Sequence, residues 1–110
     1  MIDWVKQQNW SNNNIGAMGF CIGGHLAFRA ALNDEVKSTA CFYATDLHTN
    51  TIPNKPSQHS MERLSDIKGE LIMIWGKQDT HIPTDARNQI HQRLLETDII
   101  FSWHEFNAQH

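Results

Sequence analysis

The stretch Gly19-Phe20-Cys21-Ile22-Gly23-Gly24-His25 decides how this chain folds. An apolar run, Ile15 to Phe20, leads into it, and a helical pattern, Leu26 to Leu32, leads out. A reactive side chain flanked by glycines between a strand and a helix has a physical logic. The backbone must reverse sharply there, which strains the central residue and pushes its side chain outward. Glycines two positions before and two after leave room for that reversal. The helix that follows aims its unpaired N–H groups and positive dipole end at the sulfur. Such surroundings lower a thiol pKa and favour the thiolate, the form that attacks. Cys21 is therefore the candidate nucleophile.

The totals bound what surrounds this turn. At 110 residues the chain has room for one domain, and 40% hydrophobic residues with four Trp and five Phe suffice for a core. A net charge of −3 with scattered Lys and Arg offers no basic patch, so no nucleic-acid or anionic-membrane partner is expected. No apolar run approaches the ~20 residues that span a bilayer. The N-terminal Met1-Ile2-Asp3-Trp4 lacks the pattern of a secretory signal. Cys21 and Cys41 make no disulfide framework and no CxxC, and the seven His are dispersed, so neither a metal nor a cofactor is expected. The thiols suit a reducing, cytoplasmic setting.

Along the chain, Ile2–Gln8 has a short helical pattern that the Asn-rich run at 11–14 ends. Ile15–Phe20 reads as a buried strand and Gly23–Asn33 as a helix with Ile22, Leu26, Ala27, Ala30 and Ala31 on one face. Thr39–Tyr43 is a second short strand. Ala44–Ser60, with Pro53 and Pro56, is too polar for core and reads as a long surface excursion that covers substrate or is simply solvated. Met61–Ile67 predicts a short helix. Leu71–Trp75, five consecutive apolar residues, predicts a strand covered on both faces, as in a parallel sheet. Thr84 is placed to cap a helix running to Glu96, and Ile99–Trp103 reads as the last strand, with His104–His110 running off its end. Strands alternating with helices give a parallel sheet of about four strands flanked by helices.

In an open parallel sheet the ligand site lies at the carboxyl ends of the strands. Cys21 follows the first strand, Asp79 the third and His110 the fourth. A nucleophile needs a base, and the base needs a carboxylate to fix its tautomer. The order nucleophile, acid, histidine is that of α/β-hydrolases. Asp46, after the second strand, is a rival acid. Asp79 is favoured by its Gly76-x-x-Asp79 loop, although a plain turn former is the bland alternative. Tyr43 ends a strand beside the turn and reads as a pocket wall or as core. Cys41, inside an apolar strand, reads as core. His25, His81 and His104 read as surface or cap residues, with His25 near enough to line a pocket.

Together, Gly19-Phe20-Cys21-Ile22-Gly23-Gly24, Trp75-Gly76-Lys77-Gln78-Asp79 and Phe106-Asn107-Ala108-Gln109-His110 resemble the dienelactone hydrolase family, α/β-hydrolases with Cys in place of Ser. The resemblance covers nearly the whole chain and implies a partial α/β-hydrolase fold. Residues 1–110 would be a single unit corresponding to the C-terminal half of a family domain roughly twice as long. It also implies a small-molecule ester or lactone substrate. Cys21 would attack the carbonyl, His110 would serve as base and then acid, Asp79 would orient His110, and the Ile22 N–H would donate to the oxyanion.

Two other classes remain open at this stage. One is another cysteine enzyme on a similar sheet, such as a glutamine amidotransferase, which pairs a late His with a nearby Glu; here His104 and Glu105 are adjacent with no residue between, and Asp79 already sits in the family loop, both of which count against it. The other is a non-catalytic interaction domain. In a half-sheet the strand before the turn becomes an exposed edge and the sheet keeps an apolar face, so a second copy or a completing chain is expected as partner.

Overall fold

Four stretches extend into strands: β1 (Ile15–Phe20), β2 (Val36–Phe42), β3 (Glu70–Gly76) and β4 (Phe101–Phe106). The computed structural model describes residues 1–49 and 55–110. The strands form one sheet in the order β1-β2-β3-β4, and every neighbouring pair is parallel. The register sets Gly19 beside Cys41, Cys41 beside Met73 and Met73 beside Trp103. Helix α1 (Ile2–Lys6) precedes β1, α2 (Ile22–Ala30) joins β1 to β2, and α3 (Thr84–Leu95) joins β3 to β4. This is the parallel α/β architecture that the alternating pattern implies.

The core lies on one side of the sheet. Ala27, Phe28, Ala31 and Leu32 of α2 and its end, Ala86, Ile90 and Leu94 of α3, and Met61, Leu64 and Ile67 between β2 and β3 are buried with Cys41, Leu71, Met73 and Trp75 in one cluster. Spacing of 3.6 residues on the helices and of two on the strands accounts for that membership. Trp75 and Trp103 meet at 5.2 Å, and His91 of α3 stacks on Trp103 at 4.4 Å, sealing the β4 end.

Among the described residues the opposite face is open, which corrects the expectation that β3 is covered on both sides. Ile72 of β3 is 42% exposed, with Met18 at 63% and Phe20 at 49% on β1. A groove of about 620 Å³ crosses that face, lined by Gly16, Met18, Ser38, Ala40, Ile72 and Ser102 among others. A continuous apolar run is what a doubly covered parallel strand requires; here only one of its faces is packed.

Several boundaries differ from the sequence pattern. Met61–Ile67 does not form a helix: single 3₁₀ turns at Ser60–Glu62 and Leu64–Asp66 bring Met61, Leu64 and Ile67 inward, after a further turn at Pro56–Gln58. The first helix stops at Lys6 and the second at Ala30. Strand β2 begins at Val36, since Val36 and Ser38 pair with Ile15 and Gly16 despite the polar Lys37-Ser38. Strand β4 is displaced to Phe101–Phe106, where pairing with β3 extends through Trp75 and Gly76. Thr84 opens α3 rather than capping it, and its hydroxyl accepts a hydrogen bond from Arg87 Nη2 at 3.2 Å. Of the expected excursion over 44–60, residues 50–54 lie outside the described residues.

Candidate active site

The turn at Cys21 is strained as its flanking residues require. Cys21 has φ 60° and ψ −124°, a conformation that L-residues rarely adopt and that costs on the order of 1–3 kcal/mol. It is held from both sides. Its N–H donates to Phe42 O at 3.0 Å, and its carbonyl accepts from Gly24 N at 2.9 Å, opening α2. A Cβ on Gly19 would fall on the Gly23 carbonyl, so the approach of strand to helix depends on a bare Gly19. The sulfur is left partly accessible.

Asp79 occupies the turn after β3. Its N–H donates to Gly76 O at 3.2 Å, and its side chain is buried to 1% exposure. A buried carboxylate needs donors, and Asp79 has two. Its Oδ1 accepts from His81 N at 2.8 Å, and its Oδ2 lies 2.7 Å from His110 Nδ1.

His110 reaches the site because the backbone beyond β4 is tied down. Lys77 N donates to Phe106 O at 2.8 Å, Gln78 N to Ala108 O at 2.9 Å, and Gln78 Nε2 to Asn107 Oδ1 at 2.7 Å. Gly76 makes the crossing possible: a Cβ there would stand 2.5 Å from Ala108 O and 2.7 Å from Gln109 O. His110 Nε2 then lies 3.0 Å from Cys21 Sγ.

These contacts set the electrostatics. The Cys21 thiol is held below its ordinary pKa, chiefly by the hydrogen bond from His110; partial burial opposes this and the Ile22 N–H supports it. His110 is raised above its ordinary value, first by Cys21 and, against the penalty of burial, by Asp79. Opposite shifts within one pair favour a thiolate beside an imidazolium. With Nδ1 on Asp79, Nε2 is the ring nitrogen that faces the sulfur.

The other singled-out residues fall as follows. Asp46, the rival acid, is exposed, and Asp79 is the carboxylate on His110. Tyr43 stands against His110, ring centroids 4.7 Å apart. His25 is not a surface residue: it is 6% exposed, with Nε2 2.6 Å from Ser60 Oγ. Cys41 is buried, and burial pushes its thiol up to about 12. Glu105 forms a 2.7 Å ion pair with Arg87, not the His–Glu dyad of the amidotransferase reading. His81 is exposed, as its surface reading has it, and its ring lies 4.6 Å from that of His110; its position two residues after the acid was the available signal for that contact. Among the described residues, no group of three His, Cys, Asp or Glu could hold a metal ion, and no helix is long and apolar enough to cross a membrane.

Known proteins share this arrangement of elements. The profile of the dienelactone hydrolase family matches residues 1–110. A Saccharomyces cerevisiae protein named "Putative carboxymethylenebutenolidase" is 37% identical over 105 residues, 92% of this chain and 38% of that protein. The carboxymethylenebutenolidase of Pseudomonas putida is 26% identical over 89 residues, 81% of this chain and 34% of that protein. The chain thus spans well under half the length of these relatives. Among solved structures, the "Putative Dienelactone Hydrolase" of Klebsiella pneumoniae superposes with a TM-score of 0.83 at 19% identity, over 99% of this chain and 45% of that one. A Pyrococcus furiosus esterase superposes with a TM-score of 0.76, also at 19% identity, over 99% of this chain and 50% of that one.

Proposed function

The chain belongs to the dienelactone hydrolase family, and we propose that it contributes the half of such a hydrolase that carries nucleophile, acid and base. The reaction is hydrolysis of a carboxylic ester or lactone, of the class that the carboxymethylenebutenolidase relatives are named for. The observation that carries this reading is the position of His110, with Nε2 3.0 Å from Cys21 Sγ and Nδ1 2.7 Å from Asp79 Oδ2.

The chemistry follows from those atoms. Cys21 thiolate attacks the carbonyl carbon, and the oxyanion that develops is met by the Ile22 N–H at the start of α2. The tetrahedral species collapses, the C–O bond breaks, and His110 Nε2–H protonates the departing alkoxide, which in a lactone stays tethered to the acyl group. The acyl group is now a thioester on Sγ. His110, neutral again, takes a proton from water as that water attacks the thioester carbonyl. Collapse returns the thiolate, the imidazolium and a free carboxylic acid. Asp79 holds Nδ1–H throughout and favours the imidazolium. No group beyond these side chains and water is called on, and two free thiols suit a reducing compartment.

Turnover of a p-nitrophenyl ester and of a small unsaturated lactone, with Cys21→Ala and His110→Gln alongside, tests this. Loss of turnover on removing the thiol supports it. Turnover that survives Cys21→Ala rules it out.

A second reading rests on the open sheet face. Met18, Phe20 and Ile72 are exposed together, and β1 has no neighbour on its outer side among the described residues. An uncovered parallel sheet is a pairing surface, which favours a partner, a second copy or a completing chain. Light scattering that gives a monomer at high concentration would count against self-association.

A further inference from the structure

The imidazole of His110 is met by two other rings. The Tyr43 ring lies 4.7 Å from it at 59°, and the His81 ring lies 4.6 Å from it at 57°. Its two edge nitrogens are bonded to Asp79 and Cys21. Hydrogen bonds along the edge fix rotation of the ring within its own plane, while the two tilted rings in contact with it restrict its tilting out of that plane. Both motions change the Nε2-to-sulfur geometry on which proton transfer depends.

Each flanking residue is held through its backbone. Tyr43 has φ 38°, an outlying conformation for a bulky aromatic residue, and its N–H donates to Ile74 O at 2.7 Å. The Phe20 ring lies 6.0 Å from that of Tyr43 and stacks on Phe42 at 4.6 Å. Backbone strain retained beside a reactive group marks a position that the surroundings over-determine. His81 is anchored by its own N–H to Asp79 Oδ1 at 2.8 Å and by the fully buried Ile82 that follows it. One residue thus touches the acid through its backbone and the base through its ring.

We propose that Tyr43 and His81 are positioning residues whose rings clamp the His110 imidazole in line between Asp79 and Cys21. The inference rests on the assignment of Cys21, His110 and Asp79 as nucleophile, base and orienting acid. The clamp needs ring faces rather than the phenol or a second imidazole, so phenylalanine substitutes at either position.

The test is the rate of Cys21 alkylation by iodoacetamide, followed on the full chain from about pH 5 to about pH 9, where thiolate character sets reactivity. His81→Ala and Tyr43→Ala are expected to slow alkylation at neutral pH roughly three- to tenfold. They also move the pH midpoint toward that of His110→Gln. His81→Phe and Tyr43→Phe restore both readouts to within about twofold, and ester turnover by His81→Ala loses kcat with KM held. Alanine variants with the parent profile, beside a His110→Gln that does shift it, would overturn the clamp and leave the triad standing. A loss that phenylalanine fails to rescue would overturn it equally. If His110→Gln itself leaves the profile unchanged, the triad fails and the clamp with it.

Discussion

The space a side chain on Gly19 would fill is taken by the backbone of Gly23: a Cβ on the first would fall on the carbonyl of the second. The turn that presents Cys21 is therefore closed by contact between the last residues of a strand and the first turn of a helix. The two glycines are unequal partners in it, because a Cβ on Gly23 meets nothing within 4 Å. Gly19→Ala is expected to destabilise the fold by about 3 kcal/mol or more, the upper range for overpacking against backbone. Gly23→Ala is expected to be neutral or to stabilise by up to about 1 kcal/mol. Urea unfolding midpoints of the two variants distinguish them, and equal losses would mean that the turn is not built this way.

The two thiols should behave differently. Cys21 is partly accessible and held below its ordinary pKa by His110, whereas Cys41 is buried and pushed up to about 12. For Cys21 the thiolate persists as pH falls until the lowered folded value is crossed, so alkylation at neutral pH is expected to outpace that of an unperturbed thiol. Peptide mapping after brief iodoacetamide treatment should find the label on Cys21 alone, with Cys41 reacting only when urea opens the core. Equal labelling of both in the native chain would contradict the assignment.

Acid sensitivity should trace in part to His25. Burial, assisted by nearby Arg29, lowers its pKa, while a hydrogen bond to Thr45 backbone works the other way. The folded state therefore prefers the neutral ring, and the unfolded chain takes up a proton near pH ~6.5. Stability from this group is whole above about pH 6.5 and drains as pH falls through the lower folded value. His25→Gln keeps a polar head toward Ser60 and does not titrate. Its Tm should fall less steeply than that of the parent from about pH 7 to about pH 5, and identical slopes would refute the role.

Arg87 ties α3 to the edge strand. Its side chain is 4% exposed and donates to Glu105 Oε1 at 2.7 Å, Ile82 O at 2.8 Å and Thr84 Oγ1 at 3.2 Å. Arg87→Met keeps the volume but strands Glu105, and should cost about 2–3 kcal/mol, below the range for a fully buried pair because Glu105 is partly wet. Adding Glu105→Gln should recover part of the loss. A double variant no better than the single one would show that the pair itself is unimportant.

The parts legible in the sequence are those whose cause is local. The turn at Cys21 announces itself because a strained strand-to-helix reversal needs glycine nearby. The Leu71–Trp75 run likewise reports its strand, though not its open face, and the spacing of Ala86, Ile90 and Leu94 reports burial through short-range pattern. What the pattern hid depends on partners far along the chain. Lys37 and Ser38 look like loop yet sit in a strand because β1 lies alongside. His25 looks like surface until Ser60, 35 residues on, closes over it. The Arg87–Glu105 pair joins a helix to an edge strand, and no spacing announces it. Met61, Leu64 and Ile67 share a helical interval but are turned inward by separate 3₁₀ turns. His81 carries no motif of its own, and only the fold reveals that its ring rests on His110.

Cys21, served by His110, is expected to take up an acyl group from an ester. Acid quenching of the chain during turnover of p-nitrophenyl acetate, followed by intact and peptide mass spectrometry, tests it most directly. The expected result is a transient acetyl group on the peptide carrying Cys21, absent in Cys21→Ala, and formed more slowly in His110→Gln. Hydrolysis that continues in Cys21→Ala, or acetyl groups spread over lysines and Cys41 with none enriched at Cys21, would contradict it.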